Sequence, residues 1–197
     1  MYESININRI IPQTRVEGYG KRYCIWVQGC SIRCKGCFNV EMWDKRGGTE
    51  YKVSEIVEDI VRQGEEIEGI TILGGEPFEQ PVAVLQLVKR CKKLGYGSIV
   101  FTGFVYEELL KRKEAKEVLE QIDLLIDGPY EEGRRDFSRP WVGSSNQRYI
   151  FLTSRYKKEK LKKIVNKLEI RISRIGQMSI NGMGDIGSLF IKERGRK

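Results

Sequence analysis

Three of the five cysteines fall within eight positions, Cys30-Ser31-Ile32-Arg33-Cys34-Lys35-Gly36-Cys37. The C-x3-C-x2-C spacing puts three soft thiolate donors on one compact loop, which suits an iron-sulfur cluster or zinc. Three protein ligands to a four-iron cluster leave one iron open, and an open metal position is where a small molecule binds and reacts. Closing the site needs a fourth ligand. Cys24 is the nearest candidate, but it falls on a predicted strand several residues upstream. Cys24 and Cys91 both sit in apolar patterns, the setting of buried packing thiols. The chain has no histidine, which removes imidazole as metal ligand, general base and pH switch. Histidine triads and zinc-hydrolase motifs are excluded with it.

The elements that must hold this loop follow from periodicity. Arg22 to Gln28 alternates Tyr23, Ile25 and Val27 against Cys24 and Trp26, as in a strand buried on both faces that ends just before the cysteines. Ser54 reads as an N-cap ahead of Ile56, Val57, Ile60 and Val61, and Gly64 as the stop. Gly69 to Leu73 is a β-branched run that ends in Gly74-Gly75-Glu76-Pro77, a strand followed by a glycine turn. Pro81 opens a helix that turns Val84, Leu85, Val88 and Cys91 inward, with Gly95 at its end. Ser98 to Thr102 predicts a strand, Tyr106 to Gln121 a charged helix, and Asp123 to Asp127 a buried strand that ends at an acid before Gly128-Pro129.

After an irregular, arginine-rich stretch from Glu131 to Asn146, Arg148 to Thr153 predicts a strand, Tyr156 to Leu168 a basic helix and Glu169 to Ser173 a strand. Gly176, Gly182, Gly184 and Gly187 suggest hairpin turns. Alternating strands and helices imply an α/β fold with a mostly parallel sheet, whose ligands collect outside the carboxyl ends of the strands. The cysteine loop, Gly74-Gly75-Glu76, Thr102-Gly103 and Asp127-Gly128 all follow predicted strand ends, so they can share one face.

A chain of 197 residues suits one domain, with a core over about 16–153 and an extension over 154–197. The net charge of +8 favours anionic partners in general. No apolar stretch approaches membrane-spanning length, and residues 1–12 lack the basic-then-apolar run of a signal peptide. With the clustered cysteines, this predicts a cytoplasmic, reducing location.

The cysteine spacing resembles the signature of the radical S-adenosylmethionine (SAM) enzymes. The Gly74-Gly75-Glu76-Pro77 turn resembles the segment of that family that binds the methionine amino group of SAM. Val16 to Arg22, Gln28-Gly29-Cys30, Cys34 to Asn39, Trp43, Asp127-Gly128-Pro129 and Gly143 to Arg148 narrow the likeness to the small glycyl-radical activases. Gly36 departs from the broader family, where an aromatic packs near adenine. The activase branch shares this glycine and carries an aromatic just after the last cysteine, here Phe38.

The resemblance implies a partial (β/α) barrel in which Cys30, Cys34 and Cys37 hold a 4Fe-4S cluster whose open iron chelates SAM. It implies Gly36 and Phe38 beside adenine, and Gly74, Gly75, Glu76 and Asp127 beside the methionine end. The implied activity is reductive SAM cleavage to a 5′-deoxyadenosyl radical, used to place a glycyl radical on a partner such as an anaerobic ribonucleotide reductase. A flavodoxin or ferredoxin would deliver the electron.

Two other readings stand beside it, a SAM-radical reaction on a small molecule or peptide, as in 7-carboxy-7-deazaguanine synthase, and a non-enzymatic iron-sulfur electron carrier. Gly74 and Gly75 also suit a plain tight turn, and Asp127 a cap on the Asp-Gly-Pro turn. Ser144, Ser145 and Asn146 suit an ordinary polar loop as well as a ligand contact. Arg134, Arg135 and Arg139 near Trp141 suggest nucleic acid only weakly. The lysines from Lys157 to Lys163 read as a solvated face or a dock for an acidic redox protein.

Overall fold

The computed structural model describes residues 4–184. Its centre is a seven-stranded sheet of order β3-β1-β2-β4-β5-β6-β7. The strands are β1 (Ser4–Thr14), β2 (Arg22–Val27), β3 (Thr49–Lys52), β4 (Gly69–Gly74), β5 (Gly97–Phe101), β6 (Leu124–Asp127) and β7 (Arg148–Phe151). The inner four, β2-β4-β5-β6, are parallel. The flanking β1, β3 and β7 join antiparallel. β3 and β7 remain at the two edges, so the sheet is open, a partial barrel and not a closed one.

β2 is buried along its whole length, and its alternation divides the molecule. Tyr23, Ile25 and Val27 join Ile70, Ile72, Val100 and Leu125 in the larger core, which packs beneath α1 (Val53–Arg62), α2 (Pro81–Lys93) and α4 (Lys113–Leu119). Cys24 and Trp26 point to the opposite face, with Ile11, Met42 and Leu73. Farther along that face, Ile99, Leu124 and Ile126 are covered by Tyr19, Trp141, Val142, Tyr156 and Leu161. Helices therefore close one side, while loops close the side on which the site lies.

α2 follows its predicted limits, with Pro81 at its first position. Gly95, at φ +85°, ends it with the paired bonds Gly95 N–H to Lys92 C=O and Tyr96 N–H to Cys91 C=O, both 3.0 Å. α1 departs from expectation. It starts at Val53 with Lys52 as its cap, and Ser54 lies inside the first turn. β3 remains paired up to Lys52, opposite Ser4, so the helix begins as soon as the ladder ends.

The predicted helix from Tyr106 to Gln121 is two, α3 (Tyr106–Leu109) and α4. On an unbroken helix Leu109 would lie about 120–180° around from Ala115 and Val118. Extended backbone at Arg112 breaks the helix and lets all three be buried. The predicted basic helix from Tyr156 to Leu168 shrinks to α5 (Lys158–Leu161). Tyr156 is held by Arg22, 2.6 Å from Nη1 to the phenol oxygen. Asn166 is held by the carbonyls of Phe137 and Arg139 and the N–H of Trp141. These tethers take the chain off a helical path, and the closely spaced lysines repel one another along any helix.

Two strands lie outside the predicted elements, β1, whose Ile5, Ile7 and Ile11 are buried, and β3. The C-terminal hairpin is present as β8 (Leu168–Ile172) and β9 (Met178–Gly182), with Gly176 at φ +79° in its turn. Gly187 lies outside the described residues. None of the described helices is long and apolar enough to cross a membrane.

Candidate metal and cofactor centre

The parallel order brings the expected turns together. One pocket is lined by Cys30, Cys34 and Cys37, by Gly74, Gly75 and Glu76, and by Thr102-Gly103 and Gly128. These groups follow β2, β4, β5 and β6 in turn.

The loop that carries the cysteines is built by its backbone. Gly29 N–H donates to Met42 C=O at 2.8 Å and Cys30 N–H to Trp43 C=O at 3.2 Å, closing its base. Cys37 N–H donates to Cys34 C=O at 3.1 Å, and Arg33 and Gly36 take positive φ, 50° and 74°, to turn the chain between ligand positions. All three thiols are free and partly exposed, whereas Cys24 and Cys91 are free and buried away from the pocket.

Backbone N–H groups converge on the sulfurs, from Ile32 and Arg33 to Cys30, from Tyr130 to Cys34 and from Asn39 to Cys37 at 3.4 Å. Burial outweighs these donors and pushes the Cys30 and Cys34 thiols above their ordinary pKa. A bound metal reverses that balance, since coordination removes the thiol proton. Among the described residues no three metal-ligating side chains converge on a single ion. A four-iron cluster takes its thiolates at separate irons, so three sulfurs around one pocket, each with N–H donors, fit it.

Gly74 and Gly75 line the pocket and are required by the packing behind it. A Cβ at Gly74, where φ is +107°, would lie 2.7 Å from Trp26 Cα, and one at Gly75 would lie 2.3 Å from the Gly29 carbonyl oxygen. This closeness permits Gly75 N–H to Val27 C=O and Glu76 N–H to Gly29 C=O, both 2.8 Å. The glycine turn is thus pressed against the root of the cysteine loop, and its turn role and its site role coincide.

Glu76 is 1% exposed. Its carboxylate accepts the N–H groups of Phe78 (2.9 Å) and Gly103 (2.8 Å) and the Thr102 hydroxyl (2.8 Å). Burial raises its pKa to about 7 against the pull of those donors.

Two predicted site residues, Asp127 and Gly36, do not line this pocket. Asp127 lies opposite Arg148 in the antiparallel register, and its carboxylate accepts from Arg148 Nε at 3.0 Å and from the Tyr106 N–H at 2.8 Å. Its neighbour Gly128 reaches the pocket instead. Gly36 faces Glu132, whose Oε1 would lie 3.0 Å from a Cβ there. Phe38 stands at the pocket, exposed, 5.8 Å from the Tyr130 ring.

Trp141, Gln147, Glu17 and Met183 also line the pocket, and none was singled out from the sequence as a site residue. Gln147 accepts from Gly143 N–H at 2.8 Å and donates to Gly128 C=O at 3.1 Å, while Asn146 donates to Pro129 C=O at 2.7 Å. The Ser144 to Gln147 stretch therefore stitches the turn after β6 in place. Arg139 is engaged with Asp136 and two backbone carbonyls, and Arg134 pairs with Glu131.

A family model described as a 4Fe-4S single cluster domain matches residues 16–150. The chain is 32% identical to the anaerobic ribonucleoside-triphosphate reductase-activating protein of Pasteurella multocida, over 73% of this chain and 95% of that one. It is 31% identical to the protein of the same description from Escherichia coli, over 73% and 96%. It is 31% identical to the pyruvate formate-lyase-activating enzyme of Clostridium pasteurianum, over 66% and 59%. The crystal structure of QueE from Escherichia coli superposes with a TM-score of 0.43 at 22% identity, over 52% of this chain and 53% of that one. With its cysteine loop and glycine turn facing one pocket, the chain belongs to the 4Fe-4S single cluster domain family of radical SAM enzymes, among the activating proteins.

Proposed function

We propose that this enzyme cleaves SAM reductively at a 4Fe-4S cluster held by Cys30, Cys34 and Cys37, and uses the radical to activate a glycyl-radical enzyme, an anaerobic ribonucleotide reductase first among candidates. The observation that carries the reading is the single pocket shared by the three cysteines, the Gly74-Gly75-Glu76 turn and Thr102-Gly103. When bound, the cluster would supply the electron that splits SAM into methionine and a 5′-deoxyadenosyl radical, the species able to take a hydrogen atom from a partner's glycine.

The chain's own residues prepare this chemistry. The N–H groups of Ile32 and Arg33 at Cys30 and of Tyr130 at Cys34 favour the thiolate form, and the Asn39 N–H donates to Cys37 Sγ at 3.4 Å. The glycine turn leaves room for the methionine end of SAM, and Phe38 with Tyr130 offers aromatic surface for adenine. Asp127 supports the site indirectly, by anchoring Arg148 and the start of α3. A flavodoxin or ferredoxin is the proposed electron donor.

The test is anaerobic reconstitution followed by iron and sulfide analysis, then incubation with SAM, a reductant and the cognate reductase. The expected result is 5′-deoxyadenosine together with a glycyl-radical doublet by electron paramagnetic resonance. SAM cleavage without the doublet removes the activase assignment, and iron binding without SAM cleavage leaves an electron carrier.

A further inference from the structure

Glu79 lies three residues beyond the Gly74–Glu76 turn, outside the motifs that carry the resemblance. Its side chain is 11% exposed, and it grips both flanks of the cysteine loop. Oε1 accepts the N–H of Ser31, the residue after Cys30, at 2.6 Å. Oε2 lies 2.8 Å from Lys45 Nζ. Lys45 belongs to the segment that returns behind the loop, and its Cγ packs where a Cβ of Gly29 would come within 3.0 Å. The next residue extends the grip, since Gln80 Nε2 donates to the Gln28 and Asn6 carbonyls, both 3.0 Å.

Burial opposes ionisation of Glu79, but its bonds to Lys45 and Ser31 hold its pKa below the ordinary glutamate value. It is therefore an anion at neutral pH, one hydrogen bond away from the residue that follows Cys30. A fixed negative charge beside an iron-sulfur centre opposes electron uptake and lowers the reduction potential.

The geometry points to Glu79 as a positioning residue that clasps Ser31 and Lys45 to set the path of the cysteine loop and holds down the potential of a cluster bound there. The redox half of this inference rests on the cluster reading proposed above. The clasp does not.

Both halves are tested on the full chain. In the metal-free, reduced protein, Glu79→Gln keeps an acceptor for the Ser31 N–H and leaves its hydrogen exchange slow, whereas Glu79→Ala speeds that exchange about tenfold. After reconstitution, Glu79→Gln shifts the midpoint potential upward and Lys45→Met shifts it downward, a pair of opposite signs that a purely structural role does not produce. Unchanged Ser31 exchange in Glu79→Ala overturns the clasp. A wild-type potential in fully loaded Glu79→Gln overturns the tuning. If the unaltered chain takes up no iron and sulfide, the cluster reading fails, while the exchange comparison still judges the clasp.

Discussion

Glu76 Oε2 accepts the backbone N–H of Gly103 at 2.8 Å, joining the turn after β4 to the turn after β5. Oε1 adds the Thr102 hydroxyl and the Phe78 N–H. One buried carboxylate thus orders two of the four strand ends around the pocket, and its removal leaves three donors, two of them on buried residues, without this acceptor.

Glu76→Ala is expected to cost about 3–5 kcal/mol by chemical denaturation, and Glu76→Gln less, because the amide oxygen still accepts. The pH dependence has a definite sign. Since the folded pKa is raised to about 7 from an ordinary 4.5, the folded state binds more protons between those values. Stability contributed at this position therefore falls as pH rises through the window, by about 3 kcal/mol in all. Denaturation of the metal-free chain at pH 5 and pH 7.5 should show a slope that Glu76→Gln flattens. An equal slope in both proteins contradicts the assignment.

The five cysteines should separate into two classes. Replacing Cys30, Cys34 or Cys37 with Ala is expected to abolish stoichiometric iron and sulfide loading with little change in stability, since all three are partly exposed. Cys24→Ala and Cys91→Ala should keep full loading and cost about 1 kcal/mol each through the small cavity left in the core. Loss of iron in Cys24→Ala would make it a ligand.

Gly75→Ala drives a methyl group into the Gly29 carbonyl, and Gly74→Ala drives one into Trp26 at a positive φ. Each should lower stability by more than about 2 kcal/mol and impair cluster loading, because the turn backs the cysteine loop. Gly64→Ala is the control. It shares a positive φ but has open space around the position, so about 1 kcal/mol is expected, with loading intact.

Arg148→Met leaves the buried Asp127 carboxylate with the Tyr106 N–H but no cation. A loss of roughly 3 kcal/mol is expected, and the paired change Asp127→Asn with Arg148→Met should recover part of it. A ligand role for Asp127 predicts instead that Asp127→Asn weakens SAM binding with stability unchanged, which equilibrium binding to the reconstituted protein would reveal.

Much of the fold could be read locally. β2, β4, β5 and α2 carry period-2 or period-3.6 patterns bounded by Gly and Pro, and they form where those patterns place them. Helices α4 and α5 were read too long because burial of Leu109 and the tethering of Tyr156 and Asn166 depend on partners distant in the chain. β1 carries only a short alternation, Ile5 and Ile7 buried between Asn6 and Asn8, and the period breaks beyond Asn8 where its register against β2 shifts, so pairing with β2 and β3 on its two sides defines the rest of the strand.

The sequence by itself determined the donor set, three clustered thiolates and no imidazole, and the order in which strand ends would present the cysteines and the glycine turn. A parallel α/β order then makes a shared face nearly inevitable. Tertiary structure alone decided which side chains on that face remain open to a ligand. Antiparallel pairing of β7 with β6 set Arg148 opposite Asp127 and took that acid out of the pocket, while the side-by-side packing of β4 and β5 tied Glu76 to Thr102 and Gly103. Such pairings follow from strand register across long sequence separations, and no local period carries that information.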